Sequence, residues 1–172
     1  MTQQTAITRD RLLEGLRDGA SEAFERLTAL PETEWEKGRY ENGWNARQIL
    51  AHIASIEWTY PRLIEVAREA RAEAKPKSES KPAQPASRPA SGGILSYNDR
   101  QVEKRAGLPV AELIEEFRTN RKATIAAFEA ADDDLLATPI RSAGGITGPL
   151  ATVLYQIAVL HVRVHLDDIV GS

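Results

Sequence analysis

From Thr8 to about Leu30 the apolar positions fall at Leu12, Leu13, Leu16, Ala20, Phe24 and Leu27, with polar residues between them. Recurrence at three and four residues is the stripe of an amphipathic helix. Thr8 suits its N-cap, Asp10 favours the positive end in the first turn, and Pro31 ends the run. A second stripe passes through Ile49, His52, Ile53, Ile56, Tyr60, Leu63 and Ala67. Asn45 followed by Gln48 forms a capping-box pattern at its start, with Trp44 placed to staple onto Ile49. Pro61 lies inside this stripe, where its missing N–H predicts a kink and a freed carbonyl near Glu57. Pro109, in a first-turn position, opens a third stripe through Leu113, Ile114, Phe117, Arg121, Ile125 and Phe128. The fourth runs Leu150, Val153, Leu154, Ile157, Leu160, His161, Val164, His165 and Ile169, with Thr147 as its expected cap. Tyr97 to Lys104 reads as a short helix capped by Asn98, and the Gly- and Pro-containing stretch from Ala137 to Pro149 as a loop. No stretch alternates with the period of two that marks a strand, and no internal repeat appears.

Four long amphipathic segments predict an all-α fold, a four-helix bundle. The connection between the second and third helices is much longer than the other two, and such a crossover lets those helices run parallel. The expected order is therefore up-down-down-up, in one domain spanning residues 1–172. Residues 74–93 contain four prolines and four serines but no Leu, Ile, Val or Phe. Such a segment buries too little apolar area to offset its ordering entropy, so it reads as a flexible, locally basic insertion, or else a partner-binding tail.

The remaining composition mostly excludes. A net charge of -3 gives no basic footprint for nucleic acid. The chain lacks cysteine, so disulfides, thiolate nucleophiles and cysteine-bound zinc are ruled out. No signal peptide and no apolar run of about 18 residues is seen, so the expectation is a cytoplasmic protein without a membrane partner. Asp132-Asp133-Asp134 lacks the alternation and glycine of an EF-hand loop and reads as an acidic cluster at a helix end.

Candidate chemistry centres on histidine, of which there are three. His161 and His165 are four apart, one turn above the other on a helix. His52 sits on the apolar face of the second helix. If those helices pack together, the three imidazoles form a metal site with an open position for water or a substrate oxygen or sulfur. Satisfied core histidines are the plain alternative. Val162 follows His161 where a zincin motif needs glutamate, so that motif supplies no base. Asp168 lies one turn beyond His165 and either orients an imidazole or simply sits near a helix end. Glu57 and Gln48 are pocket candidates or members of a solvated face. Arg121, on an apolar face, either holds an anionic substrate or snorkels from the bundle edge. Neither a nucleophile elbow, a phosphate loop nor a dinucleotide fingerprint is present.

Gly43-Trp44-Asn45, then His52 eight residues after Trp44, then a long gap and His161-x-x-x-His165 near the C-terminus form an ordered pattern. Together with Leu30-Pro31 before the first tryptophan and the Gly-rich loop before the last helix, this pattern resembles the DinB/YfiT-like superfamily of metalloenzymes. The likeness spans nearly the whole chain. It implies an up-down-down-up bundle, often a homodimer, and a divalent metal, zinc or nickel, held by His52, His161 and His165. It also implies a small-molecule substrate and a low-molecular-weight thiol as co-substrate, since relatives include mycothiol-dependent maleylpyruvate isomerases and bacillithiol transferases. The isomerase branch commonly has glutamate where this chain has His161. The expectation is thus a metal-dependent thiol transferase or hydrolase; the alternative is a non-catalytic bundle dimer that binds a metal or ligand.

Overall fold

The computed structural model describes residues 7–40, 43–74 and 93–171. Within them the chain is mostly helical, with one two-stranded sheet. The 75–92 part of the insertion, and Asn42 before the second helix, lie outside the described residues.

Helix α1, Arg9–Ala29, starts as expected: the Thr8 hydroxyl accepts from the Arg11 N–H at 3.3 Å. It buries Leu12, Leu13, Leu16, Ala20, Ala23 and Leu27, each of the leucines contributing about 1.5–3 kcal/mol relative to exposure. Helix α2, Ala46–Glu57, carries the full capping box, Gln48 N–H to Asn45 Oδ1 at 2.8 Å and Asn45 N–H to Gln48 Oε1 at 2.9 Å. Gln48 is therefore an exposed cap and not a pocket residue.

Pro61 does more than kink the second helix. The chain leaves helical geometry after Glu57 and resumes it as α3, Arg62–Ala74. The Glu57 carbonyl instead accepts from the Tyr60 N–H at 3.2 Å and the Thr124 hydroxyl at 3.4 Å. The apolar stripe survives the break, since Tyr60, Ile64 and Ala67 are all buried. Helix α4 spans Gly93–Lys104, beginning before Tyr97, so Asn98 is inside the helix and caps nothing. Helix α5, Val110–Glu129, follows Pro109 directly and buries Leu113, Phe117, Arg121, Thr124 and Phe128. Asp132 caps the four-residue helix α6, Asp133–Leu136, accepting from the Leu135 N–H at 2.6 Å. The acidic triplet thus occupies a helix start and faces Arg9 and Arg71.

The stretch expected to be a loop contains a small antiparallel pair, β1, Pro139–Arg141, and β2, Thr147–Pro149. Three-residue strands that each hold a proline carry too little alternation to be read from sequence. Ile140 tucks into the core opposite Gly148. Thr147 pairs in β2, leaving Pro149 at the N-cap position of the last helix.

That last helix is continuous but not uniform. It comprises α7, Leu150–Leu154, a π turn over Tyr155–Leu160, and α8, His161–Val170. A π turn holds an extra residue, and one residue displaces a helix face by about 100°. The expected stripe accordingly fails at Leu160 and Val164, which are 44% and 57% exposed, while Ala158, Val159, Val162 and Leu166 are buried in their place; the expected Ile169 is buried as well. Gly15 of α1 accommodates the turn, because a Cβ there would meet Tyr155 at 3.0 Å and Val159 at 3.2 Å.

Helices α1 and α2 each pack on both α5 and α8, and α4 lies against α2. Two apolar clusters result. One joins Leu12, Leu16, Tyr60, Phe128, Leu150 and Leu154; the other joins Leu27, Ile49, Ile53, Phe117, Val162 and Leu166. Polar groups in this interior form a compact network. Arg121, 2% exposed, reaches Glu57, 0% exposed, with Nη2 donating to Oε2 at 2.8 Å and Nε 2.8 Å from Oε1. Arg121 neither snorkels nor faces an open pocket, and Glu57 is not on a solvated face. Burial pushes the Glu57 carboxyl up, against the pull of Arg121. The same guanidinium donates to the Ala158 carbonyl at 2.8 Å, and the Tyr60 hydroxyl donates to the Ile157 carbonyl at 3.0 Å. Two carbonyls of the π turn are thereby held by side chains of neighbouring elements.

Candidate metal centre

The capped start of α2 sets the phase that turns His52 inward, where it is 4% exposed. The π turn sets the phase of α8, bringing His161 and His165 alongside it. Ring centroids are 5.0 Å apart for His52 and His165, 6.0 Å for His52 and His161, and 4.4 Å for His161 and His165. One nitrogen from each ring lies within 4.8 Å of the other two. All three sequence-derived candidates are thus brought together. They are not equally buried, however: His165 is half-buried and His161 exposed, so the cluster opens to solvent on the His161 side.

The nitrogen geometry suits a small ion. His161 Nε2 and His165 Nε2 are 3.1 Å apart, and two nitrogens on one tetrahedral zinc stand about 3.3 Å apart, given bonds of about 2.0–2.1 Å. Among the described residues His52 Nδ1 is buried with no hydrogen-bond partner. An imidazole buried without partners is costly unless something else engages the ring. Electrostatics keep the lone pairs available. Burial, reinforced by the other two imidazoles, lowers His52 to about 3. Burial and His161 lower His165 to about 4, with Asp168 pulling the other way, and burial also lowers His161. Neutral imidazole is the ligating form.

Two residues beside the histidines carry no periodic signal in the sequence. The loop from Gly38 to Asn45 is closed by a bridge between those two residues and by the Arg39 N–H donating to the Trp44 carbonyl at 3.2 Å. From it, Trp44 sets its ring 5.0 Å from that of His52, tilted by 41°. Tyr40 points at the other helix, its hydroxyl 2.6 Å from Asp168 Oδ2 and 3.1 Å from His165 Nδ1. Trp35, the other aromatic residue of this connection, is a core side chain. Asp168 is placed beside His165, 3.7 Å from its Nδ1.

Two surface grooves, about 250 and 420 Å³, share no residue with the cluster. Among the described residues no helix is long and apolar enough to cross a membrane.

A family model described as the DinB superfamily matches residues 8–169. Among solved structures, a mycothiol-dependent maleylpyruvate isomerase is similar over 100% of this chain and 64% of its own, at 17% identity and a TM-score of 0.68. A variant of that isomerase, with one histidine replaced by alanine, is similar over the same shares at 16% identity and a TM-score of 0.68. This chain therefore spans 64% of the isomerase's length, and at such identity the likeness is one of fold. No curated protein sequence matches.

Proposed function

The chain belongs to the DinB superfamily, and from that premise we propose that it is a metal-dependent enzyme whose one divalent ion, zinc or nickel, is held by His52, His161 and His165. The observation that carries this reading is the convergence of three neutral imidazoles around His52, whose Nδ1 is buried with no partner among the described residues. The reaction is transfer involving a low-molecular-weight thiol and a small electrophilic substrate, with hydrolysis as the second reading. The thiol is favoured because the structurally similar isomerase is mycothiol-dependent. His161 in place of the glutamate of the isomerase branch separates this chain from isomerisation.

When bound, such an ion supplies Lewis acidity and lowers the pKa of a thiol or water at its open position. The residues supply the rest. The three rings stay neutral at pH 7, so they bind without first losing protons. Trp44 shields His52 from water, while the exposed edge of His161 leaves a path for substrate and argues against a sealed storage site. Glu57 is committed to Arg121 and so is withdrawn from proton transfer.

The scaffold for this reading is a four-helix bundle of α1, α2, α5 and the α7–α8 helix, in up-down-down-up order. Residues 1–172 form one domain, residues 74–93 are an insertion in it, and two copies pair as a homodimer. The crossed packing of α1 and α2 on α5 and α8 supports the bundle. Metal analysis of the purified protein tests the function: about one equivalent is expected, and below about half an equivalent with no uptake on titration refutes it. A panel of biological thiols with small electrophiles then separates transfer, seen as thiol consumption, from hydrolysis.

A further inference from the structure

Tyr40 sits between a carboxylate and an imidazole, and the chemistry of the three groups leaves one arrangement of protons. The Asp168 carboxylate only accepts, so at 2.6 Å the phenol O–H is donated to it. The phenol oxygen then has only lone pairs to offer His165 Nδ1, 3.1 Å away, so that nitrogen carries the hydrogen. His165 Nε2 is left bare, and it is the nitrogen that faces His161 Nε2 at 3.1 Å. Asp168 cannot do this alone, because it is 3.7 Å from Nδ1, beyond hydrogen-bond reach.

The loop is built to hold this residue. Arg39 donates to the Ile169 carbonyl at 3.0 Å, pinning the loop to the end of α8. The Gly43 N–H donates to the Tyr40 carbonyl at 3.3 Å, and a Cβ on Gly43 would fall 2.6 Å from Tyr40 Cβ. Only glycine lets the chain fold back this closely over Tyr40.

We propose that Tyr40 and Asp168 are positioning residues for the metal centre: they lock His165 in its Nδ1–H form and aim the bare Nε2 at the ion. This rests on the metal reading above. It is tested by comparing the protein with Tyr40→Phe, which keeps the ring and removes only the hydroxyl. Zinc affinity is measured by chelator competition, and the His165 tautomer by nitrogen NMR of the metal-free proteins. The expected result is a loss of about 10–100-fold in zinc affinity, with Nδ1–H fixed in the parent and a mixture of tautomers in the variant. Asp168→Asn should weaken zinc binding too, and adding Tyr40→Phe to it should cost little more. Unchanged zinc affinity with an unchanged tautomer in Tyr40→Phe overturns the proposal while leaving the metal site intact. If the parent binds no zinc, the metal reading falls and the aiming role falls with it, whereas the tautomer comparison still decides whether Tyr40 sets the proton on His165.

Discussion

Arg121→Met is the sharpest test of the interior that supports the site. The substitution keeps the stem's volume and leaves the Glu57 carboxylate, 0% exposed, without its cation. Removing one member of a buried pair typically costs about 3–5 kcal/mol. Glu57 has one escape, which is to take a proton. From an ordinary pKa of about 4.3, protonation at pH 7 costs about 3.7 kcal/mol, at about 1.36 kcal/mol per unit. Loss of the bond to the Ala158 carbonyl adds to this, at about 1–3 kcal/mol for an orphaned buried group. A deficit of about 4–7 kcal/mol follows at pH 7, or roughly 8–28 °C in Tm for a domain of this size. Its pH dependence is the diagnostic part. Without Arg121 less opposes the upward push of burial, so the variant's Glu57 holds its proton to a higher pH than the parent's, and the deficit shrinks as pH falls. Urea denaturation of parent and variant at pH 7 and pH 5.5 measures it. A deficit below about 1 kcal/mol, or one independent of pH, would show that the pair does not hold the interior together. Glu57→Leu with Arg121→Met should recover much of the loss, since no charge is then stranded.

Other perturbations probe the centre itself. His52 and His165, lowered to about 3 and about 4, titrate near 6.5 when unfolded. The unfolded chain therefore binds more protons between those values, and metal-free stability should fall as pH drops from about 6.5 towards 4; a flat profile by urea denaturation would contradict the burial of these rings. His161→Ala, at an exposed position, should alter metal-free stability by no more than about 0.5 kcal/mol. It should nonetheless abolish the thermal shift of the parent, where zinc at about 100 times its Kd adds about 2.7 kcal/mol. Gly43→Ala should push Tyr40 away and weaken zinc binding to about the extent of Tyr40→Phe, read by the same chelator competition.

The helices were legible because their signals are local. Thr8, Asn45 with Gln48, and Pro109 each mark a helix start from the residue's own hydrogen-bonding capacity, and each stands at or beside the observed boundary. Pro61 was visible but its force was not, because kink and break differ only in whether neighbours satisfy the freed groups. Here Tyr60 and Thr124 satisfy the Glu57 carbonyl, and the helix parts. Arg121 and Glu57 are 64 residues apart, and no pattern within either helix announces that one completes the other.

The π turn is the more instructive miss. A period of 3.6 places Leu160 and Val164 under the helix, yet both face solvent. Leu150, Leu154, Ala158, Val162 and Leu166 recur at intervals of four, and all are buried. A stripe that keeps an interval of four drifts around a regular helix by about 40° per step, so holding it against one neighbour demands a locally wider turn. That interval was in the sequence, overshadowed by leucine and valine at the regular period. The wider turn is also what lets His161 remain at the open edge while His165 faces His52. The loop residues beside the rings are a different case. Tyr40 and Trp44 belong to a loop, where side-chain direction follows from hydrogen bonds such as Arg39 to Trp44 and from the room above Gly43, not from any period. Ligands on helices can be found by counting. Asp168 could be counted in the same way, one turn beyond His165, whereas Tyr40 beside it is found only once the loop is closed.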